Sequence, residues 1–133
     1  PFIGLPGNPV AAMVAFELFA RSAILKMRGL VDLEPIRVMA AACEDLANAS
    51  DRVSFVRVRV TCVDGEYSVS SVGLRSSGAV SSLLKANGLA EVPGDGMGVA
   101  RGEPVMVRLT DWSGSPRDGL LRDSPLQRPD LTT

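Results

Sequence analysis

The sequence contains no histidine, only two cysteines and few aromatic residues, at 5% of its 133 positions. Without histidine, the chain can use neither histidine acid–base catalysis nor histidine metal ligation. Cys43 and Cys62 lack the close spacing of a metal-binding pair, so we expect two buried thiols, in apparent strands, in the reducing cytoplasm. The most apolar run, residues 9–27, is interrupted by three charged residues and is therefore not a predicted membrane span.

A large charge of one sign is also missing, since the net charge is −1. This value indicates no preference for nucleic acid or for a membrane surface. The balance of 46% hydrophobic and 22% charged residues is typical of a folded domain with a modest core. Arginine greatly outnumbers lysine, which suits fork-shaped recognition of oxyanions, although compositional bias is the simpler explanation for most of these arginines.

Pro6, Gly7, Asn8 and Pro9 predict a rigid loop that leads into a helix. Gly7 permits backbone angles or a close approach that a Cβ atom would prevent. Asn8 is a good N-cap, and Pro9 falls at the first helical position. Such a loop presents amide N–H groups at the positive end of a helix dipole, which suits an oxyanion ligand. The alternative is an ordinary loop-to-helix junction in which Asn8 only caps the helix.

The helix is predicted to run from about Pro9 to Arg28 and to end at Gly29. Its apolar residues recur at helical spacing and form a broad face of the kind that normally covers a sheet. Residues 1–4 indicate the end of a buried strand, so we expect the chain to be the C-terminal part of something larger. Without that sheet, the apolar face is expected to be exposed or to find a partner. The face comprises Met13, Phe16, Ala20, Ala23, Ile24 and Met27.

The following residues predict short strands, from alternating apolar and polar positions and turn signals. Asp64-Gly65 predicts a type I′ hairpin turn. A short helix is expected at Ser81–Ala86 with Gly88 as its end, and a disordered tail at residues 113–133. The spacing favours a small β-barrel or sandwich. The predicted strands are residues 36–43, 56–62, 66–72, 89–92 and 105–109.

A second candidate site is the loop that contains Arg75, Ser77, Ser81 and Ser82. Its hydroxyl groups and glycine amides can coordinate an oxyanion, and Arg75 can supply charge. A solvated loop with a capping serine is the alternative.

A third candidate is Arg52 together with Arg57 and Arg59. Arg57 and Arg59 lie two residues apart in a predicted strand, so their side chains share one face and their heads can converge. The alternative is the solvent face of an antiparallel strand. Asp64, in a turn, and Asp95, in a glycine-rich loop, have no partner at catalytic spacing, so no catalytic residue is assigned.

Four segments in order resemble the molybdopterin molybdenumtransferase family, which includes bacterial MoeA proteins and the E domain of gephyrin. The first is Gly4–Val10 with the helix after it, and the second, Arg52–Arg57, resembles the family's R-x-x-F-x-R strand. The third is Ser77–Leu83, similar to a serine-rich loop, where Arg75-Ser76-Ser77 replaces the usual Gln-Gly-Ser of bacterial relatives. The closing segments are Ala86-Asn87-Gly88-Leu89, Val92-Pro93 and Gly102-Glu103-Pro104-Val105.

The resemblance implies a mainly β fold: a small C-terminal β-barrel at residues 30–112, preceded at residues 1–29 by one long α-helix left over from an α/β, molybdopterin-binding-like domain. It implies insertion of molybdate into adenylylated molybdopterin, with Mg²⁺, by a cytoplasmic and homodimeric complete enzyme. The magnesium-binding acids are expected outside this sequence, so the isolated chain is expected to be inactive. A non-catalytic binding or scaffolding module, or an anion-binding barrel recruited elsewhere, is the alternative.

The resemblance also makes Arg52 the strongest functional candidate among the strand arginines. The residues expected to bind substrate are Pro6, Gly7, Asn8, Pro9, Arg52, Arg75, Ser77, Ser81 and Ser82.

Overall fold

A computed structural model describes residues 2–73, 85–94 and 96–110. One continuous helix comes first, made of α1 (Pro9–Ala15), a π-helical segment (Phe16–Ala20) and α2 (Arg21–Met27). The strands that follow are β1 (Arg37–Ala42), β2 (Ser54–Val63), β3 (Glu66–Ser71), β4 (Gly88–Val92) and β5 (Pro104–Leu109). The predicted tail and most of the predicted helix at Ser81–Ala86 lie outside the described residues.

The strands form a closed barrel in the order β1-β3-β2-β4-β5, and β5 pairs with β1 to complete it. Four of the contacts between strands are antiparallel, whereas β1 and β3 are parallel. Each strand therefore has a neighbour on both sides. The closed arrangement confirms the predicted barrel and excludes the sandwich.

The barrel interior is filled mainly by valine and alanine from alternate strand positions. In β2, Val58 and Val60 are at most 1% exposed, while Arg59 between them is exposed. This alternation confirms the predicted strand pattern. The buried cluster comprises Val38, Ala40, Ala42, Leu46, Val58, Val60, Val69, Ala90, Val92, Val99, Val105, Val107 and Leu109.

The β2–β3 connection is the predicted two-residue turn. Val63 pairs with Glu66, and the φ angles of Asp64 and Gly65 are 51° and 83°. Positive φ at both central residues is the requirement of a type I′ turn, whose twist matches that of the strands. The dipeptide therefore sets the register of this hairpin.

The prediction that Gly88 ends a helix is wrong, because Gly88 is the first residue of β4 and pairs with Val58 and Leu109. A Cβ atom there would lie 2.8 Å from Val107 Cγ1 and 2.8 Å from Val60 Cγ2. Gly88 is thus required by the narrow barrel interior and not by a turn.

Asn87 completes the β2 ladder with its side chain. Its Oδ1 accepts a hydrogen bond from Val60 N at 2.6 Å, and its Nδ2 donates to Val60 O at 3.0 Å. Asn87 is 4% exposed. The side-chain amide therefore satisfies two buried backbone groups beyond the last β2–β4 pair, as a backbone neighbour would.

The expectation of two buried thiols is wrong. Cys43 is exposed and Cys62 is only half-buried. Ala42 points into the barrel, so Cys43, one position later, projects from the opposite face. Cys62 has the inward parity but lies at the turn end of the hairpin, opposite Tyr67 and one pair before the turn.

The helix ends with Arg28 as C-cap, and Gly29 follows with a φ of 81°, as predicted. Glu17 and Arg21, four residues apart on this helix, form an ion pair at 3.8 Å. Two residues of the apolar face are exposed, Ile24 to 41% and Met27 to 63%, whereas Ala20 of the same face is 6% exposed. The π-helical segment was not predicted. No helix in the described part of the chain is both long and apolar enough to span a membrane.

Replacement Asn87→Ala is expected to lower the free energy of unfolding by about 2–4 kcal/mol, because the amide and carbonyl groups of Val60 lose buried partners. Denaturant unfolding measures this difference. The control is Ser70→Ala, an exposed position on β3, where the expected change is within about 0.5 kcal/mol. Equal effects of the two substitutions would mean that the Asn87 side chain does not support the ladder.

Candidate functional site

The loop before the helix is exposed from Phe2 to Pro9. Asn8 Oδ1 accepts hydrogen bonds from Val10 N at 2.9 Å and Ala11 N at 3.3 Å, and Asn8 O accepts from Ala12 N at 2.8 Å. Pro9 has no amide hydrogen, so Asn8 satisfies the free donors of the first turn. The predicted capping role of Asn8 is confirmed. Binding of an oxyanion by Pro6, Gly7, Asn8 and Pro9 stays a prediction.

The sequence suggested two structural reasons for a glycine at position 7, unusual backbone angles and a close approach, and the structure shows neither. Its φ is outside the left-handed region, and a Cβ atom would meet no described atom within 4 Å. Within this chain, glycine is therefore not required at this position. The adjacent Asn8 and Pro9 determine the geometry of the helix start.

Arg52 is presented by a fixed segment of backbone. Asn48, which is 6% exposed, donates from Nδ2 to Arg52 O at 2.8 Å and to Pro93 O at 2.8 Å. Arg52 N donates to Ser50 Oγ at 3.1 Å. The Arg52 side chain itself is exposed. A buried amide thus orders the backbone, while the guanidinium group remains accessible.

Two glycines let the β4–β5 loop approach the Arg52 segment closely. A Cβ atom on Gly94 would lie 2.5 Å from Arg52 N and 2.6 Å from Arg52 Cα. A Cβ atom on Gly98 would lie 2.9 Å from Asn48 N. Only glycine permits contacts this short. The two loops therefore form one packed layer at this end of the barrel.

A cleft of about 310 Å³ opens where the helix start meets the outside of the barrel. Val10 supplies one side, and Phe55 and Arg57 of β2 supply another. Mainly apolar walls with one cation suit a small ligand that combines an apolar part with an anionic group. The remaining described lining residues are Leu46, Ala47, Val56, Ser71, Val72 and Gly73.

The Phe55 wall of this cleft is held by its neighbours on β4 and β5. Arg108 Nε donates to Glu91 Oε1 at 2.5 Å, and the Arg108 guanidinium lies 5.6 Å from the centre of the Phe55 ring. Phe55 and Glu91 are directly paired across the strands. This ion pair and cation–π contact fix the ring orientation.

The structure separates the three arginines that the sequence grouped together. Arg57 and Arg59 share the outer face of β2, as predicted, but Arg57 lines the cleft and Arg59 lines a neighbouring depression with Lys85. Arg52 does not line the described cleft. The sequence analysis did not predict that Asn48, Val10 and Lys85 lie near the arginines. These residues are distant from β2 in the sequence, and only the folded chain brings their segments close to it.

The second candidate site is the serine-rich loop. Arg75, Ser77, Ser81 and Ser82 lie outside the described residues. Across residues 2–73, 85–94 and 96–110, no three acidic, cysteine or histidine side chains are grouped so as to hold a metal ion. The described residues therefore do not fit a resident Mg²⁺ ion.

The chain is similar to longer proteins of known families. It is 32% identical over 118 residues to a molybdopterin molybdenumtransferase of Staphylococcus aureus (strain N315), covering 89% of this chain and 28% of that protein. It is also 32% identical over 108 residues to one of Staphylococcus epidermidis (strain ATCC 12228), covering 81% and 26%. The chain thus spans little more than a quarter of these relatives.

Solved structures resemble the fold at similar identity. A molybdenum cofactor biosynthesis protein from Pyrococcus furiosus has a TM-score of 0.59 and 37% identity, covering 77% of this chain and 36% of its own. A molybdopterin biosynthesis moeA protein from Pyrococcus horikoshii OT3 has a TM-score of 0.60 and 32% identity, covering 77% and 26%.

The closed five-stranded barrel, with its glycine-packed loops, defines a small β-barrel domain. The profile of the family described as "MoeA C-terminal region (domain IV)" matches residues 40–110. The chain belongs to this family. The resemblance found in the sequence motifs is thereby confirmed.

Replacement Gly94→Ala is expected to destabilise the chain by about 1–3 kcal/mol, because the new methyl group overlaps the Arg52 backbone. The matched control is Gly7→Ala, where the same methyl group meets no described atom within 4 Å and the expected change is within about 0.5 kcal/mol. Thermal unfolding measures both. A neutral Gly94→Ala would show that the Arg52 segment shifts freely.

Proposed function

We propose that the chain is part of a molybdopterin molybdenumtransferase that inserts molybdate into adenylylated molybdopterin, releasing AMP, during molybdenum cofactor biosynthesis. One observation carries the proposal. The segment that ends in Val10 and the segment Arg52–Arg57 both resemble this family, and residues from both, Val10 with Phe55 and Arg57, line the same cleft. Relatives that carry the name molybdopterin molybdenumtransferase support it.

The arginines suit the charges of the proposed substrates. Molybdate and the phosphate groups of adenylylated molybdopterin are oxyanions, and a guanidinium group donates two parallel hydrogen bonds to such a group. Arg57 lies among apolar residues of the cleft, where an ionic contact is stronger than in open water. Arg52 is held by a rigid backbone, which reduces the entropy lost when it engages a ligand.

The remaining features concern the complete enzyme. We propose that residues 1–29 close an α/β domain and that residues 30–112 are the barrel domain. The exposed part of the helix is proposed to pack inside that α/β domain. We propose a cytoplasmic homodimer without nucleic-acid or membrane partners. Mg²⁺ is proposed for the complete enzyme, with ligands outside the described residues, so no step here is assigned to it.

Replacement Arg52→Gln in the complete enzyme is expected to lower molybdenum insertion by about tenfold to a hundredfold, which corresponds to the loss of one charge-assisted contact. The exposed side chain makes the expected change in stability less than about 0.5 kcal/mol. Reconstitution of an apo-molybdoenzyme measures insertion. Arg101→Gln, on the exposed turn before β5, is the control and should retain activity within about twofold. Full activity of the Arg52→Gln variant would show that Arg52 does not bind substrate. If the wild-type protein inserts no molybdenum, the alternative of a scaffolding module is favoured.

Replacement Pro9→Ala in the complete enzyme is expected to reduce insertion more than stability. Proline at the first helical position acts mainly by restricting the unfolded chain, so its removal should cost about 0.4–1 kcal/mol. A misplaced substrate loop, in contrast, can slow the reaction on the order of 100-fold. Melting temperature and insertion rate are measured on the same preparations. Activity that falls only in proportion to unfolded protein would show that the loop is purely structural.

A further inference from the structure

A second depression, of about 500 Å³, lies beside the cleft on the outer face of β2 and β3. Arg59 and Lys85 line it, together with Ser71 and Val72. The cleft also contains Ser71 and Val72, so the two depressions are contiguous. The second one is therefore a neighbouring site with its own pair of cations, separate from Arg57.

The two cations of this depression have no side-chain partner in the described structure, unlike three arginines elsewhere in it. Arg108 is paired with Glu91, Arg37 with Glu34 and Arg21 with Glu17. For Arg59 and Lys85, both exposed, the described structure contains neither a hydrogen bond nor an ion pair of the side chain. Their charges are thus available to an added anion.

The polar surroundings of Arg59 are mostly neutral. Ser70 lies directly across from it on β3, and the next outward pair, Thr61 and Ser68, joins hydroxyl to hydroxyl at 2.9 Å. The nearby carboxylate of Glu44 is engaged through Oε1, which accepts from Ser71 N at 2.8 Å and from Ser71 Oγ at 2.7 Å. Because those donors are occupied, an anion in the depression would be held by the two cations.

We propose that Arg59 and Lys85 form a binding site for a tetrahedral, doubly charged oxyanion, the phosphate group of a small ligand. Arginine offers a planar fork that matches two oxygens, and lysine adds a point charge that neutralises the second unit of charge. The site is open to water, so binding is weak and decreases with ionic strength. Binding here is independent of molybdenum insertion, since it requires neither the cleft nor the rest of the enzyme.

The test is a titration of the 133-residue chain at low salt, followed by NMR shifts of the Arg59 Nε–H group and the Ser70 amide. Inorganic phosphate and molybdate are the two probes, because they share the tetrahedral dianion chemistry. We expect saturable shifts with a Kd on the order of 1 mM. Arg59→Gln and Lys85→Gln are each expected to weaken binding about fivefold, the effect of one exposed ion pair.

The charge-retaining Arg59→Lys variant should weaken binding less than Arg59→Gln, because it keeps the charge and loses only the planar fork. The control is Arg101→Gln, which removes an exposed arginine from the turn before β5, a strand that pairs with neither β2 nor β3; it should leave the affinity unchanged. Unaltered amide shifts of the core residues Val38 and Val105, which lie far from Arg59 in the sequence, verify the fold of each variant.

Tighter binding of phosphate than of molybdate supports a phosphate subsite, while the reverse order supports the dianion site but assigns it to molybdate. Absence of saturable shifts, or equal weakening by Arg101→Gln, overturns the proposal. Failure of molybdenum insertion in the complete enzyme bears on the proposed function and not on this site.

Discussion

The parallel contact between β1 and β3 is the interaction on which the rest of the structure depends, because it joins the two ends of the sheet. β1 already pairs with β5 over residues 37–41, so its second edge closes the barrel on β3. Cys43 N continues the contact by donating to Val69 O at 2.8 Å. Closure gives each of the five strands a neighbour on both sides, and it confines the core to the narrow interior of the barrel.

That narrow interior determines both the side chains inside and the accessibility of the charged residues outside. Valine and alanine fill most of it, and at Gly88 even a methyl group would collide with Val60 and Val107. Since alternate residues of a strand point in opposite directions, burial of Val58 and Val60 places Arg57 and Arg59 on the outer surface. The alternation of side chains along β2 therefore places valines in the core and the two arginines in the depressions.

The loops at one end of the barrel give the backbone of Arg52 a defined position. Asn48 joins the β1–β2 loop to the β4–β5 loop through Arg52 O and Pro93 O, and Gly94 allows the two backbones to touch. Arg52 is rigid in its backbone and exposed in its side chain as a result. A binding role for Arg52 stays a proposal, and a loop residue positioned by a rigid framework is suited to it.

The sequence by itself determined the features that depend on neighbouring residues. Asn8 and Pro9 start the helix, Gly29 ends it, Asp64-Gly65 makes the hairpin, and the alternation in β2 identifies its inner face, because caps, tight turns and strand parity depend on a few consecutive residues. Only the tertiary structure decided the role of Gly88, the exposure of Cys43, the pairing of Asn87 with Val60 and the meeting of Arg59 with Lys85. Each of these features depends on which distant segment the closed barrel places next to the residue. The local sequence does not determine that neighbour.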